Sequence, residues 1–168
     1  MSVRPFVPWP DPRLSKACSD VGTVDDEVRE IWRDMIDTME AMPGLGLAAC
    51  QIGVLRKLAV VDCSETRGQA IRLADPQVIE AAEEFSEVEE ASPNLPSVAA
   101  RIRRPAWVRV RFRNAENAVE EQRFEGLWAT SVQHQIDHLA GRMYFDRLSR
   151  TRRQMLLRRA EKLRRGSA

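Results

Sequence analysis

The segment QHQIDHLAG, residues 133–141, contains both histidines of the chain. His134 and His138 are four residues apart, so on a helix both imidazoles project from one face and can reach a single transition-metal ion. In the metallohydrolase form of this pattern, a glutamate follows the first histidine and takes a proton from metal-bound water. Gln135 occupies that position here. The segment predicts either a metal-binding helix without its general base or an ordinary helix with two histidines.

Length and composition predict one domain, residues 1–168. A chain of 168 residues, of which 43% are hydrophobic, has material for one core. The formal net charge is +1, so nucleic-acid binding driven by bulk charge is excluded and only a local basic surface remains possible. Cys18, Cys50 and Cys63 lack C-x-x-C spacing, so neither a disulfide framework nor a cysteine zinc site is expected.

The sequence also leads to expectations about location. Pro5, Pro8, Pro10 and Pro12 interrupt the N-terminal segment, which excludes the apolar stretch of a secretory signal. No later apolar run is long enough for a membrane span, so no membrane association is expected. We expect a cytoplasmic protein in a reducing compartment.

Hydrophobic periodicity predicts helices at 23–42 and 127–140, the first capped by Thr23 and the second carrying the two histidines. Strands are predicted at 58–61, 71–73 and 78–79, and a hairpin over 107–126 turns at 114–117. The segment 150–168 is predicted to be a basic C-terminal helix, with a narrow apolar stripe of Met155, Leu156 and Leu163.

Charge is concentrated in this last helix. Residues 150–165 contain eight basic residues and one acid, Glu161. One hypothesis is contact with ribosomal RNA through its phosphates, which would depend strongly on salt. The alternative is a solvated surface helix.

Three segments in fixed order resemble the signature segments of peptide deformylases. They are GLGLAACQ at 44–51, EASPNLP at 90–96 and QHQIDHLAG at 133–141. The family segments run GxGLAAxQ, then EGCLS followed by an aliphatic residue and proline, then QHExDHLxG. PDPRL at 10–14 and MYFDRLS at 143–149 extend the resemblance over most of the chain.

The resemblance implies an α+β fold in which antiparallel β-sheets surround a central helix that carries the HxxxH pattern. It implies an enzyme that removes the formyl group from the initiator methionine of nascent proteins, so a formylmethionyl or related peptide N-terminus is the expected partner. The family uses Fe²⁺ or Zn²⁺, bound by two histidines and a cysteine. Some members reach the ribosome through a C-terminal helix.

Carried over to this sequence, the resemblance gives His134 and His138 as metal ligands and Gln51 as an oxyanion hydrogen-bond donor. Ser92 falls on the ligand cysteine and Gln135 on the catalytic glutamate. Pro93 falls on the residue whose backbone N–H helps bind the oxyanion, and proline has none. Ser97 could instead fill the cysteine position if the alignment shifts. Cys50 is either a substitute sulfur ligand or a small buried thiol.

The resemblance also implies a substrate pocket. Its expected lining residues are Leu45, Gly46, Val88, Leu127, Thr130 and Ser131. Thr130 and Ser131 make the wall more polar than a methionine side chain prefers. Glu90 contacts the substrate backbone in this interpretation, or is a solvated acid in the alternative. Asp137 is expected to be structural and held by Arg103 or Arg104.

These substitutions predict impaired or absent deformylase activity. An amide does not accept a proton near neutral pH, and a neutral hydroxyl binds zinc or ferrous iron poorly, so any ion is expected to be weakly bound or absent. One alternative is an active metallohydrolase with another base, such as Glu89 or Glu90, or another acyl substrate. The other is a non-catalytic module that binds nascent peptides or the ribosome.

Overall fold

The computed structural model describes residues 2–166, in which seven antiparallel strands and three α-helices form the architecture. The strands are β1 (Gly46–Ala48), β2 (Leu58–Val61), β3 (Ile71–Ala81), β4 (Phe85–Ser92), β5 (Leu95–Pro105), β6 (Trp107–Arg113) and β7 (Val119–Glu125). The helices are α1 (Asp26–Ala41), α2 (Gly126–Leu139) and α3 (Arg150–Gly166). One sheet has the order β1-β2-β3-β6-β7, and β4 pairs with β5 in a separate hairpin. The predicted α+β fold is confirmed.

Strand β2, which lies between β1 and β3, is buried on both faces because a helix covers each side of the sheet. Leu58 and Val60 pack into a cluster with α1, whereas Ala59 and Val61 pack into a cluster with α2. Helix α2 is buried along almost its whole length from Ala129 onward. A helix that is buried all round must satisfy every polar side chain that it carries inward.

Helix α1 begins later than predicted. Its N-cap is Asp25 rather than Thr23, and the Asp25 carboxylate accepts a hydrogen bond from the Val28 N–H at 2.9 Å. The Asn117 side chain binds the Val24 N–H at 2.9 Å, which holds the preceding residues outside the helix. A carboxylate cap also complements the positive end of the helix.

The strand predictions were partly wrong. The segments 71–73 and 78–79 belong to one strand, β3, whose pairing with β6 shifts register at two places. Pro76 lies in the first irregularity, next to Asp75 with a φ of 50°, and a proline can be placed there because no ladder N–H is needed. The β6–β7 hairpin was predicted correctly, whereas the β4–β5 hairpin was missed.

The predicted apolar stripe of α3 was correct at Leu156 but wrong at Met155 and Leu163. Leu156, Leu157 and Ala160 face the body of the protein, near a third cluster that contains Ile102 and Phe145, whereas Met155 and Leu163 are exposed. Residues at 156, 157 and 160 follow the spacing of one helix face. Within residues 2–166, no helix combines the length and apolar composition that crossing a bilayer requires.

Candidate active site

Helix α2 carries seven buried polar side chains, among them the two histidines and the glutamine that follows the first of them. His134, Gln135 and His138 are 8%, 5% and 1% exposed. The helix ends at Leu139, and Gly141 follows two residues later with a φ of +81° and an N–H that binds the His138 carbonyl at 3.0 Å. A Cβ at that glycine would lie 2.8 Å from the backbone of Lys16, so the close approach of the N-terminal segment requires glycine.

The two histidine rings face each other through one nitrogen each. Nε2 of His138 lies 3.2 Å from Nε2 of His134, and Nδ1 of His134 lies 2.8 Å from Oε1 of Glu90. Because an ionised carboxylate only accepts hydrogen bonds, Nδ1 of His134 carries the proton. Complete burial lowers the pKa of His138 well below its usual value, so this ring is neutral at neutral pH.

A network of two buried carboxylates, the buried guanidinium of Arg104 and the partly exposed guanidinium of Arg147 lies beneath the histidines, and we call it the ion network. Arg104 binds both carboxylate oxygens of Glu90, at 2.7 and 2.8 Å, and one oxygen of Asp137 at 2.9 Å. Arg147 binds both oxygens of Asp137, at 2.6 and 2.8 Å. Burial raises the pKa of each carboxyl group, but the arginine hydrogen bonds outweigh it, so both pKa values lie below their usual range. The network is charged and internally paired.

Asn94 connects the other two motifs. Its Oδ1 accepts hydrogen bonds from Nε2 of Gln51 at 2.8 Å and from Oγ of Ser92 at 3.1 Å. Its Nδ2 donates to the carbonyls of Val7 at 2.6 Å and Gln51 at 3.1 Å. The Gln51 side chain is fixed at its other end, because its Oε1 accepts from the Ala48 N–H at 2.9 Å. Asn94 therefore determines the orientation of both Gln51 and Ser92.

A cavity of about 390 Å³ opens above these groups. It is lined by all the residues predicted for the site except His138, which contacts His134 from below. Leu45 and Leu127, which are 45% and 50% exposed, stand at its mouth, and Glu89 is exposed along its edge. The Ser131 hydroxyl donates to the Leu45 carbonyl at 2.9 Å, so its proton is not available to a ligand.

The wall of the cavity approaches Gly46 closely. A Cβ on Gly46 would lie 2.5 Å from Oγ of Ser131 and 2.7 Å from Nε2 of Gln135. No side chain fits there unless these groups move. The glycine therefore lets the backbone of β1 lie directly against α2.

Comparisons with known proteins identify the family. A family model described as polypeptide deformylase matches residues 3–154. The chain belongs to the polypeptide deformylase family. It is 39% identical over 172 residues to a peptide deformylase of Rhizorhabdus wittichii, covering 98% of this chain and 97% of that one. It is 35% identical over 168 residues to a "peptide deformylase-like" protein of Rhizobium meliloti, covering 100% and 97%. The crystal structure of peptide deformylase from Ehrlichia chaffeensis superposes with a TM-score of 0.91 at 28% identity, covering 99% of each chain.

The deformylase motifs meet in one place, and several alternatives left open by the sequence can now be decided. Ser92 is buried and lines the cavity, whereas Ser97 is exposed and does not, so the shifted alignment is wrong. Glu90 is 7% exposed and paired with Arg104, so the solvated alternative for this residue is wrong. Arg104 is the arginine that holds Asp137, whereas Arg103 lies 4.1 Å from the centre of the Phe85 ring.

Cys50 does not take the place of the deformylase cysteine. Its Sγ donates to the His138 carbonyl at 3.3 Å, on the side of α2 that belongs to the apolar core. A hydrogen bond with Cys18 and burial raise the pKa of the Cys50 thiol. A thiol with this environment is a core residue rather than a metal ligand.

The deformylase family is metal-dependent, and iron or zinc requires donor atoms of suitable spacing and chemistry. Two imidazole nitrogens on a tetrahedral ion lie roughly 3.3 Å apart, and the 3.2 Å between the histidine Nε2 atoms fits this spacing. The third donor does not fit, because Ser92 is a neutral hydroxyl that donates to Asn94. Within residues 2–166, no three His, Cys, Asp or Glu side chains group to hold an ion. The residues present do not fit a firmly bound metal.

Sequence reasoning missed two residues that shape this deformylase-like site. Arg147 lies in the MYFDRLS segment, and Asn94 falls where the family segment has a serine. The signal for Arg147 was its position in a matching segment, but its partner in the fold was not apparent from the sequence. For Asn94, the signal was that asparagine stands where the family segment has serine.

Proposed function

We propose that this protein is a peptide-binding member of the deformylase family with little or no deformylase turnover. The observation that carries the proposal is the position of Gln135, which lines the cavity beside His134 where the family motif has glutamate. An amide can orient a water molecule but does not accept its proton near neutral pH. A general base contributes about 10²–10⁴-fold in rate, and this contribution is absent.

Two further substitutions act on other parts of the reaction. Ser92 supplies no thiolate, which weakens metal binding independently of the base. Pro93 supplies no backbone N–H to a developing oxyanion, and loss of one such donor costs about 10²–10³ in turnover in hydrolases. The three effects concern proton transfer, metal affinity and charge stabilisation, so none can compensate for another.

Neither of the carboxylates considered as replacement bases is well suited to the task. Glu90 is bound by Arg104 and His134, which lowers its pKa and occupies both oxygens. Glu89 is exposed along the edge of the cavity rather than buried beside the histidines. This distribution favours loss of turnover over an active hydrolase with a relocated base.

The cleft itself supports peptide binding. It retains the glycine-lined approach at Gly46, the apolar mouth at Leu45 and Leu127, and the ordered Gln51 side chain. An apolar cavity with a small number of fixed polar groups is the usual form of a ligand site. We infer that the scaffold still accepts the N-terminal residue of a peptide.

The test is restoration of activity. The triple variant Gln135→Glu, Ser92→Cys and Pro93→Leu, loaded with iron under anaerobic conditions, is expected to deformylate formyl-Met-Ala-Ser at least about 10²-fold faster than the wild type. The matched control carries Ser92→Cys and Pro93→Leu but keeps Gln135; it is expected to gain metal and little turnover. A triple variant that binds metal but gains no turnover would refute the assignment of these positions.

A second proposal concerns α3, which we infer contacts nucleic-acid phosphates, as on ribosomal RNA. Arg153 pairs with Asp146, and Arg164 and Arg165 pair with Glu161. The other basic residues of the helix have no acidic partner among residues 2–166: Arg150, Arg152, Arg158, Arg159 and Lys162. Ribosome co-sedimentation should weaken steeply between 50 and about 200 mM salt, and Arg158→Gln with Arg159→Gln should reduce that slope by about two. Association that does not change with salt would contradict the proposal.

A further inference from the structure

We propose that the cavity selects a peptide whose first side chain is polar and uncharged, such as glutamine, and that Thr130 is the residue that selects it. This inference rests on the proposed function, because it names the ligand class of the same cleft. The side chains of Leu45, Val88 and Leu127 line the cavity with apolar atoms, whereas Thr130 and Ser131 bring a hydroxyl group each. The two hydroxyl groups have different surroundings.

The Ser131 hydroxyl is already committed to the fold. It donates to the Leu45 carbonyl at 2.9 Å, which ties α2 to the residue before β1. Its Oγ would also lie 2.5 Å from a Cβ on Gly46, so it is packed against the backbone of β1. This hydroxyl has no proton left for a ligand and keeps only the capacity to accept.

The Thr130 hydroxyl, in contrast, is available. Thr130 is 8% exposed and lines the cavity. Its Oγ1 has no hydrogen-bond partner within residues 2–166, yet it is not sealed off from the surface, unlike Oε1 of Gln135. Because α2 is buried on its other sides, this hydroxyl opens into the cavity. A hydroxyl group both donates and accepts, so it can pair with either the oxygen or the nitrogen of a ligand amide.

A second available polar atom lies on the same wall. Nε2 of Gln135 would lie 2.7 Å from a Cβ on Gly46, and it makes no hydrogen bond within residues 2–166 and is not sealed off. The wall therefore offers a donor at Gln135 and a group of both kinds at Thr130. These two atoms need partners when a ligand displaces water from the cavity.

The available atoms disfavour methionine as the first residue of the ligand. Its thioether is a weak acceptor, so a methionine side chain covers the Thr130 hydroxyl without satisfying it, and an unsatisfied buried polar group is unfavourable. A glutamine side chain has nearly the same length and carries a donor and an acceptor. A charged side chain loses more hydration than one hydroxyl group can replace. An uncharged side chain that forms hydrogen bonds therefore fits this wall best.

The experiment is isothermal titration of the whole chain with formyl-Gln-Ala-Ser and formyl-Met-Ala-Ser. The formyl group is common to both peptides and prevents cyclisation of the glutamine. We expect the glutamine peptide to bind about threefold to tenfold more tightly, since the net contribution of a hydrogen bond corresponds to about this ratio. Equal or tighter binding of the methionine peptide would overturn this inference alone.

Two other results would reach the proposed function. Mass spectrometry of the recovered peptides measures cleavage independently of affinity. Cleavage at the rate of active relatives would contradict the proposed lack of turnover, and the order of the two affinities would still decide the inference. Absence of binding by either peptide would overturn both proposals.

Three variants test the assignment to Thr130. Thr130→Val removes the hydroxyl at equal size, and it should weaken the glutamine peptide about fivefold while the methionine peptide binds as well as before or better. Thr130→Ser keeps the hydroxyl and should keep the preference for glutamine. Thr151→Val makes the same change on the exposed surface of α3 and should alter neither affinity. A preference for glutamine that survives in Thr130→Val, or is lost in Thr130→Ser, would overturn the assignment.

Discussion

The ion network and the cavity wall meet beside the histidine pair, where Glu90 belongs to both, and they differ in what they retain. In the ion network, Glu90, Arg104, Asp137 and Arg147 are all present and bonded to one another at 2.6–2.9 Å. In the wall, Gln135, Ser92 and Pro93 replace the glutamate, cysteine and N–H donor of the deformylase motifs. We call these three residues the substituted positions.

The difference follows from what each region does for the fold. Removing Arg104 leaves the buried Glu90 carboxylate without its guanidinium partner, which is strongly destabilising. The substituted positions carry neutral groups in place of charged or reactive ones. The fold tolerates the loss of those charged or reactive groups. Selection for a stable protein alone therefore preserves the first region and permits change in the second. Four mutational and pH experiments test this comparison.

The largest expected effect comes from breaking the ion network. Arg104→Met leaves the carboxylates of Glu90 and Asp137 without their shared cation, and we expect a loss of about 3–5 kcal/mol in the free energy of unfolding, measured by urea denaturation. Arg101→Met is the matched control, since Arg101 is exposed on the same strand and pairs with Glu87 only at 3.7 Å. It should cost less than about 1 kcal/mol. Equal losses in the two variants would contradict the role of the network.

Acid should weaken the same network without mutation. The pKa values of Glu90 and Asp137 are lowered in the folded protein, so their contribution to stability is complete above their unfolded values, near 4.5 and 3.8, and is lost as pH falls through the folded values. The free energy of unfolding should therefore fall below about pH 4.5. The fall should be shallower in Arg104→Met, because that variant has already lost the interaction. Parallel pH profiles for the wild type and Arg104→Met would contradict this role of the ion network.

A smaller effect is expected at the connection between the two regions. Asn94→Ala removes the partner of Gln51 and Ser92 and leaves the Val7 carbonyl without its donor, at an expected cost of about 1–3 kcal/mol in unfolding. It should also weaken peptide binding, because Gln51 is no longer held in place. Full stability together with unchanged peptide affinity would show that Asn94 does not position these side chains.

The smallest effect is expected within the substituted positions. Ser92→Ala removes one hydrogen bond to Asn94, whose Oδ1 still accepts from Gln51, so the loss should stay below about 1.5 kcal/mol. The variant should contain as little iron or zinc as the wild type. A marked fall in metal content would identify the serine as a working ligand.

The sequence predicted the fold, and the residues carried over from the motifs lie together at one cavity, because motif order constrains which segments meet. His134, Gln135, Ser92 and Gln51 are far apart along the chain, yet all line one cavity, as the resemblance required. The periodicity of residues 127–140 located α2 to within one residue at each end. Local patterns of this kind depend on neighbouring residues and are visible without a structure.

Features that depend on long-range contacts were not predicted. The β4–β5 hairpin was missed because its strands contain many polar residues and two prolines, and its stability comes from pairing and from Ile102 in the core. Arg147 reaches Asp137 from outside the helix, and no spacing indicates this contact. Similarly, Thr23 is a good cap by type, but the contact between Val24 and Asn117, which are 93 residues apart, places the helix start at Asp25.

The most direct measurement is made on the wild-type protein. The chain should be purified anaerobically, analysed for iron and zinc, and assayed with formyl-Met-Ala-Ser beside the Rhizorhabdus wittichii peptide deformylase. We predict well under one ion per chain and turnover at least about 10⁴-fold below that enzyme, from the combined loss of base and oxyanion donor. One tightly bound ion per chain together with turnover comparable to that enzyme would contradict the account.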